Sequence, residues 1–159
     1  MKFINVGKIV NTFGIKGELK IVSRFEMPER VFKKGNYLRI NNINYRITNA
    51  RFHHYNYLIE IDDIKDINKV EFLIGNDVYF NEEDLGLSND EYLISELVGY
   101  KVVDNNKEIG LVTDYDNNEI NPLIKVNDDF YIPIKGNFIE KVDKDNFKIY
   151  TKNVEELML

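Results

Sequence analysis

Residues 6–21 read VGKIVNTFGIKGELKI, and glycines interleaved with lysines are typical of loops that bind phosphate. A P-loop needs Gly, four residues and then Gly-Lys-Ser/Thr, whereas Gly7 and Gly14 are farther apart and Ile15 follows Gly14. A dinucleotide-binding loop leads into a helix, and here a strand pattern follows. The GIKG at 14–17 matches the GxxG clamp of KH domains, but that clamp joins two helices and this one joins two apparent strands. The stretch therefore predicts a glycine-rich hairpin that exposes Lys16.

The two histidines, His53 and His54, are adjacent in the sequence. Neighbouring side chains on a strand point to opposite faces, so we do not expect the pair to bind one metal ion or to serve one catalytic site. The serines Ser23, Ser88 and Ser95 lack the flanking glycines of a nucleophile elbow. Both patterns argue against a zinc site and against a Ser-His-Asp hydrolase.

Residues 114–125 begin like a calcium loop, with Asp114, Asp116 and Asn118 at alternate positions. The sixth position is Glu119 where Gly is needed, and the twelfth is Lys125 where Glu is needed, so a turn is the better interpretation. The chain also has no cysteine, which removes thiolate ligands and nucleophiles. We therefore expect no catalytic residue, no metal, no cofactor and no enzyme activity.

Cations and aromatic residues alternate in the first part of the chain, an inventory with which small β-barrels bind RNA. The cations are Lys8, Lys16, Lys20, Arg24, Arg39, Arg46 and Arg51, and the aromatic residues are Phe13, Phe25, Tyr37, Tyr45, Phe52 and Tyr55. The alternative is that most of these rings fill a hydrophobic core.

The charge is divided unevenly along the 159 residues, whose net charge is −6. Residues 1–55 contain 11 Lys and Arg against 3 Asp and Glu, whereas residues 56–159 contain 10 against 24. This asymmetry suggests one polyanionic and one basic partner, although charge blocks can also serve only to solvate loops. With 43% hydrophobic residues the chain can bury a core, and it begins without a leader, so we expect a cytoplasmic protein with no membrane span.

Short period-two runs predict strands in both halves of the chain. In the first half, Asn41-Asn42 predicts a hairpin turn, Pro28 the first turn of a short helix with Gly35 as its cap, and residues 66–75 a longer helix that Asp66 caps and Gly75 ends. Ile67, Val70, Leu73 and Ile74 would share one face of that longer helix.

The polar segment 85–91 is the expected linker, which gives domains at 1–84 and 92–159. The second domain contains five or six short strands at near-regular spacing, as in a small barrel or sandwich. Asn153 is the expected N-cap of one closing helical turn.

In their order, these motifs resemble the RimM family of ribosome maturation factors along essentially the whole chain. VGKIVNTFGIKGELKI is similar to the family's opening V-G-x-I-V-x-T-H-G-I-x-G-E-V-K-V, and RFHHYNYLIEI is similar to its R-x-H-K-x-x-L-L-I-x-F strand. IKDINKVEFLIGNDVYF, followed by EEDL, resembles the next segment. DEYLISELVGYKVVD, NPLIKV, YIPI and VEELML resemble successive motifs of the PRC-barrel that follows in the family.

Three positions depart from the family pattern. Phe13 replaces the His that usually follows Thr12, Ile67 replaces an Arg, and Leu93 replaces the second ring of an aromatic pair whose first ring is Tyr92. In the family that pair is associated with ribosome binding. The resemblance therefore implies a ribosomal-protein-binding site at Tyr92 and Leu93.

The resemblance implies a mainly β fold of two small β-barrel domains, a translation-factor-like barrel followed by a PRC-barrel, with a few short helices. It also implies a non-catalytic monomer that binds the immature small ribosomal subunit through the nineteenth small-subunit protein and assists head assembly and 16S rRNA processing. Residues 85–159, with 8 Lys and Arg against 15 Asp and Glu, suit such a basic partner. The candidates to face small-subunit rRNA are Lys8, Lys16, Lys20, Arg24, Arg51, His53 and His54.

Two alternatives remain at this stage. One is a general RNA-binding, translation-factor-like barrel protein that acts on mature ribosomes. The other is a PRC-barrel module of the photosynthetic kind, which would require a membrane tether that the sequence does not supply.

Overall fold

The computed structural model describes residues 1–158. The period-two runs of the sequence form strands in both halves of this range. The chain divides into two units between Gly86 and Leu87. The strands of the first unit are β1 (Phe3–Phe13), β2 (Glu18–Val22), β3 (Tyr37–Ile40), β4 (Ile43–His53), β5 (Asn56–Ile61) and β6 (Asp77–Asn81). Those of the second unit are β7 (Lys101–Asp104), β8 (Lys107–Asp116), β9 (Leu123–Val126), β10 (Phe130–Pro133), β11 (Ile139–Asp143) and β12 (Lys148–Thr151). The expectation of a mainly β fold is confirmed.

The six strands of the first unit close into a barrel in the order β1-β2-β5-β4-β3-β6. Alternate residues point inward, so that Leu19 and Ile21 of β2 and Ile59 of β5 are fully buried. The expected turn between β3 and β4 is confirmed, because Asn41 and Asn42 both have positive φ, 51° and 63°, which two-residue hairpins require.

A short helix, α1 (Pro28–Val31), begins at Pro28 as expected. The longer helix expected over residues 66–75 is wrong, since two 3-10 turns, Ile67–Lys69 and Glu71–Leu73, occupy this segment. Val70 and Leu73 are buried while Ile74 is exposed, and a spacing of three residues between buried positions suits a 3-10 turn better than an α-helix. The Asp66 cap is confirmed, since its carboxylate accepts a hydrogen bond from the Asn68 N–H at 3.0 Å.

The second unit contains one six-stranded sheet in the order β10-β9-β8-β7-β12-β11, with β10 and β11 at its edges. All its pairs are antiparallel except β7 with β12, which run parallel. The sheet surrounds its own core, whose buried members are Ile94, Leu97, Tyr100, Val102, Val112, Ile124, Val126, Phe130, Ile132, Ile149 and Val154.

A buried polar contact fixes the 3-10 turn Val154–Leu157 that follows β12. Asp104 accepts hydrogen bonds from the Thr151 hydroxyl at 2.9 Å and from the Val154 N–H at 3.3 Å. Asn153 lies at the N-cap position as expected, but the expected capping hydrogen bond is wrong. Asn153 has φ 57°, and its side-chain oxygen accepts a hydrogen bond from the Asn105 amide instead. Asp104, which lies on a different strand, therefore takes over the role of the cap.

Within residues 1–158 no helix has the length and apolar character that crossing a membrane would require.

Candidate functional site

One end of the first barrel gathers charged and aromatic side chains into what we call the cationic–aromatic cluster: Phe13, Glu18, Arg51, His53 and His54. Arg51 reaches from β4 to Glu18 on β2 and donates two hydrogen bonds of 3.0 Å to its carboxylate. The guanidinium also lies over the Phe13 ring, with Cζ 5.3 Å from the ring centroid. The Phe13 ring in turn contacts the His53 imidazole, with 5.0 Å between centroids.

Charges within the cluster affect the titration of its members. The hydrogen bond from Arg51 holds the pKa of Glu18 below its usual range, against the opposing effect of partial burial. The pKa of His53 is lowered by burial first and then by electrostatic interaction with His54 and Arg51. At neutral pH the Glu18 carboxylate is therefore charged and held against Arg51, while the imidazole of His53 is neutral.

The two histidines lie together, contrary to the expectation that they point to opposite faces of a strand. β4 ends at His53, and His54 begins a turn in which it and Tyr55 have positive φ, 47° and 66°. The turn rotates His54 so that the two imidazole centroids are 4.1 Å apart. Two imidazoles at the end of a hairpin thus add hydrogen-bonding surface beside Arg51.

Lys20 and Lys16 extend the positive charge of the cluster. Lys20 pairs with Leu58, which pairs with Arg51 on its other side, so Lys20 and Arg51 lie on one row of the outer face. Lys16 lies in the exposed turn between β1 and β2 and is close enough to contribute to the lowered pKa of Glu18. Five of the seven residues predicted to face RNA therefore meet at this end of the barrel.

The other two predicted residues lie elsewhere on the first unit. Lys8 is exposed near the middle of β1, where it pairs with Val22 on one side and Asp77 on the other. Arg24 is exposed in the segment that follows β2. Neither is joined to the cluster by strand register, so both are weaker candidates for a shared contact.

The alternative that most of these six aromatic residues fill the core is wrong. Of the six rings named from the sequence, Tyr45 is buried, while four are exposed: Phe13, Tyr37, Phe52 and Tyr55. Tyr55 is 91% exposed at the tip of the β4–β5 turn, next to the histidines. Rings at the surface beside cations are what base stacking requires.

In the second unit, Tyr92 and Leu93 differ in accessibility although they are neighbours. Tyr92 is half-buried and lines a groove of about 620 Å³ between the segment that starts at Leu87 and the edge strand β11. Leu93 is only 3% exposed, so its side chain is buried. Of the two residues, Tyr92 is therefore the more accessible one.

Most of the charge along this partner groove, as we call it, is negative. Acidic side chains at its walls are Asp90, Glu140, Asp143 and Asp145, and the cations are Lys141 and Lys144. Lys144 is already engaged, because its Nζ lies 3.6 Å from the Glu96 carboxylate and donates to the Glu91 carbonyl at 2.9 Å. A hydrogen bond from Asn146 lowers the pKa of Asp143 below its usual range, so that carboxylate stays charged at neutral pH.

Comparison with known proteins decides the family. The model of the RimM N-terminal domain matches residues 4–85. The chain is 31% identical to the ribosome maturation factor RimM of Staphylococcus aureus (strain NCTC 8325 / PS 47), over 98% of each chain. It is 32% identical to the protein of the same name from Lactobacillus delbrueckii subsp. bulgaricus, over 99% of each. The chain belongs to the RimM family.

A solved structure, the N-terminal domain of RimM from Thermus thermophilus, covers 54% of the chain at 16% identity with a TM-score of 0.47. That score is too low to add to the assignment, which rests on the sequence matches. Both relatives carry the name ribosome maturation factor.

Two contacts of the sites were missed from the sequence. Glu18 was not singled out, although it holds Arg51 in place and is part of the GEL segment that resembles the RimM signature. Lys144 was likewise missed as the residue that ties the β11–β12 turn to the wall of the partner groove. Both contacts join residues distant in sequence, which the tertiary fold brings together and no local pattern reveals.

Proposed function

We propose that this RimM family member is a small-subunit assembly factor that works by binding and carries out no reaction of its own. The observation that carries the proposal is the match to ribosome maturation factors over nearly the whole chain. The two units support it with surfaces of opposite character, one cationic and aromatic, the other acidic. The protein would act in the cytoplasm as a monomer, on immature small subunits.

Each surface suits one component of the subunit. The cationic–aromatic cluster has the cations and exposed rings that phosphates and unpaired bases of the small-subunit rRNA require. The partner groove, with Tyr92 and four acidic residues, suits a basic ribosomal protein, and we assign it to the nineteenth small-subunit protein of the head. By holding both together, the protein would assist head assembly and 16S rRNA processing.

Sedimentation of a cell extract tests this function. The tagged chain should accompany free small subunits and precursor particles, and should be absent from joined ribosomes and polysomes. Its depletion should lead to accumulation of unprocessed small-subunit rRNA. Association with joined ribosomes and polysomes instead would favour a general RNA-binding barrel acting on mature ribosomes and would contradict the proposal.

A further inference from the structure

A second pocket, of about 520 Å³, lies on the first barrel and takes no part in the cluster described above. Its walls include Phe3 at the start of β1, Arg39 on β3, the Asn41–Asn42 turn, and Asp77 and Tyr79 on β6. The pocket includes Phe3, the first residue of β1, whereas the cationic–aromatic cluster includes Phe13, its last residue.

Arg39 is the residue of this pocket whose environment indicates a ligand. Its guanidinium lies over the Phe3 ring, with Cζ 4.5 Å from the ring centroid. Its Nε is buried and has no hydrogen-bond partner within residues 1–158. A buried polar N–H without an acceptor is unfavourable, and more so when it belongs to a charged group. A small shift of the Arg39 side chain that exposes this N–H to an oxygen of a ligand would remove the penalty, and phosphate oxygens are the acceptors that a guanidinium binds especially well.

The rest of the pocket lining disfavours a free inorganic anion such as phosphate as the ligand. Asp77 places a carboxylate in the same pocket, which would repel a free phosphate. A carboxylate does accept hydrogen bonds from the amino group of a base, and the amides of Asn41 and Asn42 can both donate and accept. These two residues are held in a tight turn by their left-handed backbone.

Tyr79 supplies the remaining element, a ring on which a base can stack. It is the direct cross-strand neighbour of Arg39, so both side chains project from the same outer face of the barrel. The Tyr79 side chain is 37% exposed. We propose that this pocket binds one unpaired nucleotide of an RNA strand, with the phosphate at Arg39 and the base against Tyr79. This rests on the proposed function only for the identity of the RNA.

Fluorescence anisotropy with the full chain and a labelled single-stranded oligoadenylate tests the pocket. Arg39→Gln and Tyr79→Leu should each weaken binding by about tenfold, since a stacked base or a charged phosphate contact contributes that order of affinity. Arg39→Lys should stay weak, because it keeps the charge and loses the Nε–H. Lys34→Gln, which removes one charge from an exposed site on the same unit, is the matched control and should change affinity by less than about twofold.

Thermal unfolding of each variant, compared with the wild type, distinguishes a loss of RNA binding from a loss of folding. Because Tyr79 is at the surface, Tyr79→Leu keeps the test valid should Arg39→Gln unfold. Equal affinities of Arg39→Gln and Lys34→Gln would overturn the proposal, and so would equal binding of a duplex of the same length. Displacement of the strand by an equal concentration of adenosine monophosphate would assign the pocket to a free nucleotide and overturn it as well.

The pocket and the proposed function can fail separately. If Arg39-dependent binding of the strand persists while the chain does not sediment with small subunits, the pocket stands and the function falls. If the chain sediments with small subunits but Arg39→Gln leaves strand binding unchanged, the function stands and the pocket falls.

Discussion

Arg51 donates two hydrogen bonds of 3.0 Å to Glu18, from β4 to β2 across the intervening strand β5. The paired geometry fixes the plane of the guanidinium, which then lies over Phe13. The Glu18 carboxylate thus orients the Arg51 guanidinium, which we assign to RNA binding, and the face of the guanidinium stays against the Phe13 ring. Because Arg51 is still 46% exposed as a side chain, it stays accessible to a ligand.

The Glu18–Arg51 pair should make stability depend on pH. The folded-state pKa of Glu18 is lowered, so the pair stabilises the fold above the unfolded-state pKa, and this contribution is lost as the pH falls through the lowered value. Glu18→Gln should therefore reduce the free energy of unfolding at pH 7 by about 1 kcal/mol. The difference from the wild type should shrink as the pH falls below the unfolded-state pKa of Glu18 and vanish below its lowered folded-state pKa. Urea unfolding at a series of pH values measures this.

Glu71→Gln is the matched control, because it removes a carboxylate from an exposed site of the same unit. Its unfolding free energy should follow the wild type at every pH. A Glu18→Gln effect of the same size at acid and neutral pH would show that the carboxylate acts through packing rather than through its charge.

Local rules predicted the parts of the fold that depend on neighbours in sequence. The strands follow from period-two patterns, and the β3–β4 hairpin follows from Asn41-Asn42, because each is decided within a few residues. The segment at 66–75 failed for a physical reason: an apolar spacing of three or four residues fits both an α-helix and successive 3-10 turns.

The contacts that make the sites were beyond such rules. Glu18 meets Arg51, 33 residues later, only because β5 pairs with both β2 and β4 in a particular register. Leu93 takes the place of one ring of the family's aromatic pair, yet its side chain is buried. Which of two adjacent residues faces solvent depends on tertiary packing, and no pattern of residue types in this segment decides it.

Gly17 should be far less replaceable than Gly14, although both lie in the same turn with positive φ, 91° and 66°. A Cβ on Gly17 would lie 2.5 Å from the Ile64 carbonyl oxygen, a backbone atom, whereas a Cβ on Gly14 meets nothing within 4 Å. Gly17→Ala should lower the free energy of unfolding by about 3 kcal/mol, and Gly14→Ala by about 1 kcal/mol. Equal losses in chemical unfolding would mean that backbone strain, rather than the clash, sets the cost at both positions.

Asp104 should anchor the end of the second unit. Asp104→Ala leaves the Val154 N–H without its buried acceptor, and leaves the Thr151 hydroxyl only the Val103 carbonyl at 3.4 Å. We expect the free energy of unfolding to fall by about 2–3 kcal/mol, the cost of unsatisfied buried donors. Thr151→Val removes one donor while keeping the shape, so its loss should be smaller. Hydrogen exchange should show the Val154 amide exposed in Asp104→Ala and still protected in Thr151→Val; protection in both variants would contradict this assignment.

Leu93 and Tyr92 should separate stability from partner binding. Leu93→Ala opens a cavity at a buried position and should lower the free energy of unfolding by about 2–5 kcal/mol. Its folded fraction should still bind the nineteenth small-subunit protein, because the Leu93 side chain is not accessible to a partner. Weak binding by a fully folded Leu93→Ala would place this residue at the interface instead.

Tyr92→Ala should do the reverse, because the ring lines the acidic partner groove. We expect about a tenfold loss of affinity for the nineteenth small-subunit protein by titration calorimetry, with a smaller change in thermal stability than in Leu93→Ala. Tyr131→Ala, which removes a ring 45% exposed on the edge strand β10, is the matched control and should bind normally.

Wild-type binding should also weaken as salt is raised, since the groove is acidic and the partner basic. A collapse of thermal stability in Tyr92→Ala, or equal affinity of the wild type for an unrelated basic protein of similar charge, would remove Tyr92 and its groove from the binding site.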